Sequence, residues 1–571
     1  MVDDDRATDR RSHVEGSLWL LLGSFVVLSR ALAAPDILAE WDSANYALAV
    51  VDFDVYEHRP HSPGYPLFVA MLWLSSAIPG PPHLPFLVVN TLLSLGILGL
   101  LGFVVRMETG RATALALAAA MTVCPVFWYH GALSTAYVAE CFASVLVGTA
   151  AWALATGRLG SRGAAVALVV ASGLRPNSLL YLLPLLGFSM LWSKQGLRSW
   201  LSFVVVSSVG ILCWAVPTVV LSGGWERYWT TTRALARWQS STTSVLSGSF
   251  GEASYNLESL LLYLGDALNG FVLLLVLCLA LVVAQRRFRL FWPLFLTTWC
   301  LPPALLYTLH HLPKAGYILT ILPGGFLATA LAYGTATAGW SIFWRRCAAV
   351  LCGAWVALVV AANAAAFYLA VPASAVRSDG EELDEEYAVL LTGDYGLGGI
   401  HWRTEPQRRL RALMDELGGA DSAVVFLWRT HQLQRIESVY HPQQWVFTEA
   451  LAHDCIQSNR DSSEAFCGSF GDMQIRVLEA PEGGLHSELE TRLDLVDNSL
   501  IVRRSDYERI VPLEPLPSTL LVVAPCPPCS VDVGSGLAHS QAIPMTDRFK
   551  LIVLDVVGAD HAEHPLGGGP L

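Results

Sequence analysis

The sequence predicts an α-helical polytopic membrane protein of about 11 spans, followed by a C-terminal soluble α/β domain. Of the 571 residues, 53% are hydrophobic and only 15% are charged, a balance too apolar for a soluble protein of this length. Apolar runs of about 17 to 25 residues, long enough to cross a bilayer, recur along the first two thirds. Acidic residues concentrate in the rest: 1–371 holds 21 Lys+Arg and 17 Asp+Glu, whereas 372–571 holds 15 and 31. We therefore predict a transmembrane domain over 1–371 and a soluble domain over 372–571.

The first apolar run, Leu18 to Ala34, follows Arg6, Arg10 and Arg11, as in a signal peptide. However, the run does not end in a small-x-small cleavage site, and many more apolar runs follow it. These features favour an uncleaved first helix.

Two pieces too short to span comfortably flank Arg175 and predict a shallow hairpin with this arginine at its turn. The predicted spans are 18–34, 84–105, 112–128, 135–156, 199–221, 266–284, 290–309, 315–340 and 347–371, and the short pieces are 163–174 and 177–192.

The basic residues predict the orientation, because cytoplasmic loops are rich in Lys and Arg. One assignment of the loops to the two sides of the membrane places 14 of the 21 basic residues of 1–371 in the cytoplasm. This assignment, called the threading below, requires that segment 64–79 does not cross the membrane. This segment would lie in the interface as a helix of the first external loop (35–83). The aromatic and basic stretch 222–258 would form a second interfacial helix. The threading predicts a multi-pass plasma-membrane protein whose C-terminal domain is extracytoplasmic.

The C-terminal part reads as a small α/β domain. Helical sequence from Thr404 to Leu417 is followed by Gly418-Gly419 and an apolar strand, 423–428, and further strands are predicted at 519–523 and 551–557. If this domain is exported, its four cysteines are compatible with one or two disulfides, although the last two also form a CxxC pair. They are Cys455, Cys467, Cys526 and Cys529.

The first external loop is the most unusual polar segment of the membrane part. It carries six acids between Asp36 and Glu57, and Asp42 follows the first span closely. Spacing alone leaves two interpretations of Asp42 open. It could cap a short helix through Asn45 and Tyr46, or it could carry chemistry.

The loop continues with His61-Ser62-Pro63-Gly64-Tyr65-Pro66-Leu67. An acid after the first span followed by this element resembles the GT-C superfamily of membrane glycosyltransferases, in particular its protein O-mannosyltransferase-like and aminoarabinose-transferase-like branch. The sequence departs from the family at two positions. Ser62 replaces the first proline of the family's His-Pro-Pro-Gly-Tyr-Pro-Leu element, and Ser43 stands where better-studied mannosyltransferases have a second acid.

Further matches extend the resemblance over most of 15–340. They are Trp128-Tyr129-His130 followed by Glu140, the pair Arg175-Pro176, and the basic-aromatic stretch from Lys314 to Leu319. The resemblance implies an enzyme that moves a sugar, a mannose-like hexose or a pentose, from a polyprenyl-phosphate donor. The acceptor would be a hydroxyl of a protein, lipid or glycan at the outer membrane face.

The resemblance also suggests roles for individual residues. Asp42 would be the general base, Glu140 would orient a sugar, and Arg175 with Lys314 would bind the lipid phosphate. Further candidates for substrate binding are Tyr317, His58, His61 and Tyr65.

Each of these residues also has a structural interpretation. Glu140 could be an acid at headgroup level, Arg175 could extend to the interface, and Lys314 lies where lysine is common. The histidines, including His310-His311, have no carboxylates or cysteines at metal-binding spacing, so we predict no metal site and leave a divalent cation open.

Other functional classes find little support. There is no P-loop, no dinucleotide fingerprint and no nucleic-acid-binding pattern, and Asp52-Phe53-Asp54 is an isolated DxD match. The alternative is a transporter or lipid flippase with Glu140 and Arg175 in the substrate path. Transporters usually contain internal repeats, and the sequence has none.

Overall fold

The computed structural model divides into two compact units, Met1–Arg403 and Thr404–Leu571. The predicted boundary near residue 371 lies outside the described residues, as do His311 and the four cysteines of the C-terminal part. The structure describes 2–242, 244–245, 250–286, 290–310, 312, 314–370 and 395–417, and beyond these the strands with short adjoining segments up to residue 556.

Unit 1 is built from helices. One 3-10 helix, Ala315–Thr320, precedes the helix Leu322–Thr337 (α15). The helix Leu397–Leu417 (α17) begins in unit 1 and ends in unit 2. The α-helices are α1 (Val2–Ala33), α2 (Trp41–Val51), α3 (Pro66–Ser75), α4 (Leu84–Glu108), α5 (Arg111–Thr122), α6 (Pro125–Ala132), α7 (Tyr137–Ala155), α8 (Ser161–Leu174), α9 (Ser178–Trp192), α10 (Leu197–Leu221), α11 (Trp225–Thr242), α12 (Phe250–Leu268), α13 (Gly270–Ala284), α14 (Phe291–Leu309), α15 (Leu322–Thr337), α16 (Ile342–Leu369) and α17 (Leu397–Leu417).

Among the described residues, five helices are long and apolar enough to cross a membrane: α1, α4, α7, α10 and α16. The number rises to seven if the bent pairs α5–α6 and α12–α13 each form one span. Many large apolar side chains on these helices remain exposed, for example Leu201 and Leu212 on α10 at 56% and 57%. An exposed apolar surface of this kind suits lipid. The predicted polytopic membrane architecture is confirmed.

Two predicted spans are bent in the structure, and a third, 315–340, consists of the 3-10 helix Ala315–Thr320 followed by α15. The run 112–128 divides into α5 and α6, which meet at 62°. Pro125 lacks an N–H and its ring blocks a continuing helix. The buried Arg30 donates from Nη2 to the carbonyl of Thr122 at 2.9 Å. This carbonyl lies at the end of α5, where the helix itself provides no hydrogen-bond donor for it. The run 266–284 bends by 89° at Asn269, whose φ of 38° is incompatible with a right-handed helix.

The short pieces around Arg175 form the predicted pair of helices, α8 and α9, of 14 and 15 residues. Arg175 caps α8 with extended backbone, at φ −146° and ψ 101°. Extended backbone before Pro176 is expected, because proline disfavours the helical conformation of the residue before it. Arg175 therefore lies at the turn between the two helices, as predicted.

The first loop contains α2 and α3. With 10 residues, α3 is about 15 Å long, half the hydrocarbon thickness, so it does not cross a membrane alone. The loop is tied to α11. Ser62 Oγ donates to Thr232 Oγ1 at 2.9 Å, and the Tyr228 hydroxyl donates to the Pro63 carbonyl at 3.2 Å. Ser62, the departure from the family pattern, thus has a hydrogen-bonding role of its own.

The described residues of unit 2 form two five-stranded sheets. Side chains of the strand Thr519–Pro525 (β7) point alternately into the core between the two sheets and toward α17. Leu520 and Val522 join the core between the sheets, whereas Leu521 and Val523 pack with Leu410 of α17. The strands are β1 (Ser422–Phe426), β2 (Val446–Thr448), β3 (Gln474–Val477), β4 (Thr491–Val496), β5 (Ser499–Arg503), β6 (Tyr507–Pro512), β7 (Thr519–Pro525), β8 (Val531–Val533), β9 (Leu537–Pro544) and β10 (Phe549–Val556), in the orders β2-β1-β7-β10-β9 and β3-β6-β5-β4-β8.

The first of these sheets confirms the predicted α/β unit. The predicted strands 423–428, 519–523 and 551–557 correspond to β1, β7 and β10. β1 and β7 are parallel, and β10 runs antiparallel to β7. The second sheet was not predicted.

Candidate active site

Asp42 lies in the first turn of α2 and does not cap it. The N-cap position belongs to Glu40, and no side-chain cap hydrogen bond forms. The structural interpretation of Asp42 as a helix cap was therefore wrong. Its side chain is 33% exposed, so it is accessible to a reactant.

His61 connects Asp42 to Tyr65. Its Nδ1 lies 3.3 Å from Asp42 Oδ1, and its Nε2 lies 3.0 Å from the Tyr65 hydroxyl. Burial alone raises the pKa of Asp42, but the charges of His61, Lys314 and Arg175 outweigh this effect and lower the pKa below its usual value. Asp42 is consequently ionised at neutral pH, as a general base must be.

Glu140 and Arg175 form a buried ion pair. Arg175 Nε lies 3.1 Å from Glu140 Oε1, and the side chains are 7% and 0% exposed. The same carboxylate oxygen accepts hydrogen bonds from Tyr181 at 2.9 Å and Tyr307 at 2.8 Å. Glu140 Oε2 is buried and has no hydrogen-bond partner among the described residues. Glu140 is thus anchored through one oxygen only.

Two tyrosines flank the guanidinium of Arg175. Its Cζ lies 5.0 Å from the ring centroid of Tyr317 and 5.5 Å from that of Tyr65, within the range of cation–π attraction. Tyr65 belongs to the first loop and Tyr317 to the 3-10 helix before α15. Arg175 therefore brings together the loop of Asp42 and the helix of Glu140.

Lys314 belongs to the same cluster and pairs with Glu40. Its Nζ lies 3.2 Å from Glu40 Oε2, across 274 positions of sequence. The Lys314 side chain is 30% exposed, so the ammonium remains accessible.

Seven of the eight predicted site residues therefore form one connected cluster, joined through side-chain contacts and, between Lys314 and Tyr317, through the 3-10 helix. His58 lies at φ 55° in the turn that begins at Val55, and its charge contributes to lowering the pKa of Asp42. The seven residues are Asp42, His61, Tyr65, Glu140, Arg175, Lys314 and Tyr317.

Three members of the cluster were missed by sequence reasoning: Glu40, Tyr181 and Tyr307. Glu40 could have been noticed as a second acid close to Asp42. The tyrosines lie singly in apolar helices, and no local pattern distinguishes them from core residues.

An aromatic cluster extends the site toward the beginning of α17. Tyr317 packs on Tyr137 with ring centroids 5.4 Å apart, and His130 lies 4.7 Å from Tyr137. Tyr129 contacts both His130 and Tyr395, each at 5.0 Å. Unit 1 therefore includes residues beyond its last apolar helix, and one of them, Tyr395, lies near the site.

The isolated DxD match has a structural explanation. Asp52 pairs with Arg59 at 2.8 Å, and Asp54 pairs with Arg227 at 3.3 Å. In the described part of the chain, no three His, Cys, Asp or Glu residues group as metal ligands.

Comparison with solved structures places this cluster in a known fold. The chain aligns with the crystal structure of ArnT from Cupriavidus metallidurans bound to undecaprenyl phosphate, with a TM-score of 0.54 and 13% identity over 94% of this chain and 97% of that one. The two proteins share a fold.

The apo state of the same ArnT aligns with a TM-score of 0.47 and 14% identity, over 90% of this chain and 99% of that one. No protein-family model matches the chain. Curated proteins contain no match either.

Proposed function

We propose that the protein is an integral membrane glycosyltransferase that moves a sugar from a polyprenyl-phosphate donor to an acceptor hydroxyl. The observation that carries this proposal is the convergence of Asp42, Glu140, Arg175 and Lys314, from four separate segments, in a protein with the fold of ArnT. That ArnT was crystallised with undecaprenyl phosphate supports a donor of this lipid class.

The proposed reaction is a direct displacement at the anomeric carbon. Asp42 takes the proton of the acceptor hydroxyl as the oxygen forms its bond to C1 of the sugar, and the bond from C1 to the phosphate oxygen breaks. The electron pair leaves with the polyprenyl phosphate, and Asp42 later returns its proton to water. Such a displacement inverts the configuration at C1.

Arg175 and Lys314 are proposed to bind the leaving phosphate. Each cation is paired with an acid, Arg175 with Glu140 and Lys314 with Glu40. Both positive charges are therefore neutralised by a partner when no donor is bound. The pair with Glu140 uses Nε and leaves further guanidinium N–H groups for phosphate oxygens, and these groups are suited to bidentate contact. The increase in negative charge on the phosphate as C1 departs would strengthen both contacts.

Glu140 is proposed to act through geometry rather than proton transfer. Its Oε1 is engaged by Arg175, Tyr181 and Tyr307. The buried Oε2 is available to accept a hydrogen bond from a sugar hydroxyl, which would orient the sugar beside Asp42. His58 and Tyr317 remain proposed substrate-binding residues, and a mannose-like hexose or a pentose remains the proposed sugar.

The site is proposed to face the outer side of the plasma membrane, with 372–571 extracytoplasmic and a protein, lipid or glycan as acceptor. The distribution of basic residues supports this placement, because the threading that puts the basic loops inside puts the first loop outside.

The test is transfer of labelled sugar from a synthetic undecaprenyl-phosphate donor by purified protein in detergent. Asp42→Asn keeps the shape of the side chain and removes the base, so we expect activity to fall by about 10²-fold or more. Asp52→Asn is the matched control, since Asp52 is an exposed surface acid paired with Arg59. Retention of more than about a tenth of the activity by Asp42→Asn would exclude Asp42 as the base.

The alternative of a transporter or flippase is favoured by one observation, the ion pair of Glu140 and Arg175 buried in a membrane domain. The same preparation distinguishes the two functions. Turnover in detergent supports the enzyme, whereas translocation of the lipid in vesicles without turnover would support the alternative.

A further inference from the structure

The first loop folds so that His61 lies between two of its own residues. One ring nitrogen faces Asp42 Oδ1 at 3.3 Å and the other faces the Tyr65 hydroxyl at 3.0 Å. The ring also packs against Tyr46 and Tyr65, at centroid distances of 5.7 and 4.9 Å. With its side chain only 19% exposed, His61 has a restricted orientation.

These contacts select one tautomer of His61. A neutral imidazole donates from one nitrogen and accepts at the other. Asp42 is an acceptor when ionised, so the proton belongs on Nδ1, and Nε2 then accepts the hydrogen bond of the Tyr65 hydroxyl. With this assignment Tyr65 donates to His61 Nε2. The buried Nδ1 makes no hydrogen bond to the described residues and lies 3.3 Å from Asp42 Oδ1, a loose contact of the kind that tightens when substrate binds.

We propose that His61 is a positioning residue that holds the carboxylate of Asp42 by one oxygen and leaves the other to face the acceptor hydroxyl. This inference rests on the proposed function of Asp42 as the base. It replaces the role suggested by the family resemblance, in which His61 binds substrate. The distinction is measurable, because a positioning residue acts on the base and a binding residue acts on affinity.

The charges around the two residues are consistent with this arrangement. The groups whose positive charge lowers the pKa of Asp42 against the effect of burial are His61 and His58 when protonated, together with Lys314 and Arg175. Burial lowers the pKa of His61, Asp42 raises it, and Arg175 and Lys314 lower it further. The net result is an ionised Asp42 beside a neutral His61 at pH 7.

Two substitutions of His61 separate its contacts. The amide nitrogen of asparagine reaches about as far as Nδ1, so His61→Asn keeps a donor near Asp42 and loses Tyr65. The longer His61→Gln reaches as far as Nε2, so it keeps Tyr65 and loses Asp42. We expect His61→Gln to have a kcat at least about tenfold below that of His61→Asn, the lower end of the effect of one hydrogen bond to a charged group.

The direction in which the pH profile of kcat/KM moves distinguishes a positioning role of His61 from a substrate-binding role. Loss of the His61 donor removes one of the influences that lower the pKa of Asp42, so the pKa rises in His61→Gln. The acid limb of kcat/KM should therefore move to higher pH in His61→Gln and move less in His61→Asn, with the KM for donor similar in both. A raised KM for donor in both variants with an unmoved acid limb would overturn the inference and restore a substrate-binding role.

A measurement without turnover keeps the inference separate from the proposed function. Protonated carboxyl groups react with a water-soluble carbodiimide, and peptide mass spectrometry can follow Asp42 over about pH 3 to 7. The midpoint should be higher in His61→Gln than in wild type, and thermal unfolding checks that both proteins are folded. Equal midpoints in folded proteins would overturn the role of His61. Absence of sugar transfer by wild type would instead refute the proposed function.

Discussion

In the proposed reaction, the guanidinium of Arg175 binds two anions, the carboxylate of Glu140 and the phosphate of the donor. One N–H group pairs with Glu140, and others would hold the donor's phosphate. A lysine ammonium is a point charge without a planar fork, so Arg175→Lys should not behave as a conservative change. We expect kcat/KM for the donor to fall about ten- to a hundredfold, the effect of losing one charge-assisted contact. Initial rates over a range of donor concentrations measure this.

Lys314 provides the second half of the same test. Lys314→Met should lower kcat/KM by a similar factor, and the double variant should lose less than the product of the two factors, because contacts to one phosphate are coupled. Arg59→Lys is the control, since its exposed pair with Asp52 should contribute little. Wild-type donor kinetics in both single variants would return Arg175 and Lys314 to structural roles.

Sequence reasoning predicted those residues of the cluster that belong to a motif and missed those that do not. Asp42, His61 and Tyr65 belong to one recognisable segment. Tyr181 and Tyr307 became part of the site only through packing, which brings their hydroxyls to Glu140 across 41 and 167 positions of sequence. The pairing of each cation with an acid was equally invisible, because it depends on tertiary distances.

Gly64 controls how the first loop enters α3. Its φ is +108°, and a Cβ there would lie 3.0 Å from both Thr218 and Val55. Gly64→Ala should therefore destabilise the protein by more than about 1 kcal/mol, through backbone strain and crowding together. Gly99→Ala is the matched control, because Gly99 lies inside α4 and a Cβ there meets no atom within 4 Å. Thermal unfolding in detergent compares them, and equal melting temperatures would contradict this account of the loop.

A helix or strand could be predicted from the sequence where a local pattern specifies it, and was missed where it could not be read from such a pattern. Apolar length determines the long helices, and α4, α7, α10 and α16 lie close to their predicted positions. The breaks were missed because apolar length does not mark them. Pro125 blocks a continuing helix locally, and the hydrogen bond from Arg30 to the end of α5 is a tertiary contact. The second sheet of unit 2 was missed because its strands, such as β6 with Glu508 and Arg509, lack a long apolar run.

For the whole molecule, the fold persists where sequence similarity is low. At 13% identity to ArnT, most positions have changed, yet a membrane helix requires only an apolar surface and sufficient length. Conserving the fold therefore constrains few individual residues. A buried charge in a membrane domain needs a partner, as Glu140 and Arg175 have in each other, so polar motifs carry information about the fold that the apolar helices do not.

The orientation of the whole molecule is the remaining prediction, and it depends on α3. Because α3 is too short to cross alone, the chain between α1 and α4 can return to the side from which it started. The basic residues then place 80 and 226 outside and 110 inside. In a variant without native cysteines, Gly80→Cys and Glu226→Cys should react with an impermeant thiol reagent on intact cells, whereas Gly110→Cys should react only after permeabilisation. Gly110→Cys is the internal control for membrane integrity in the first two measurements. Labelling of Gly110→Cys alone would invert the topology, place Asp42 in the cytoplasm and require a donor on the cytoplasmic leaflet.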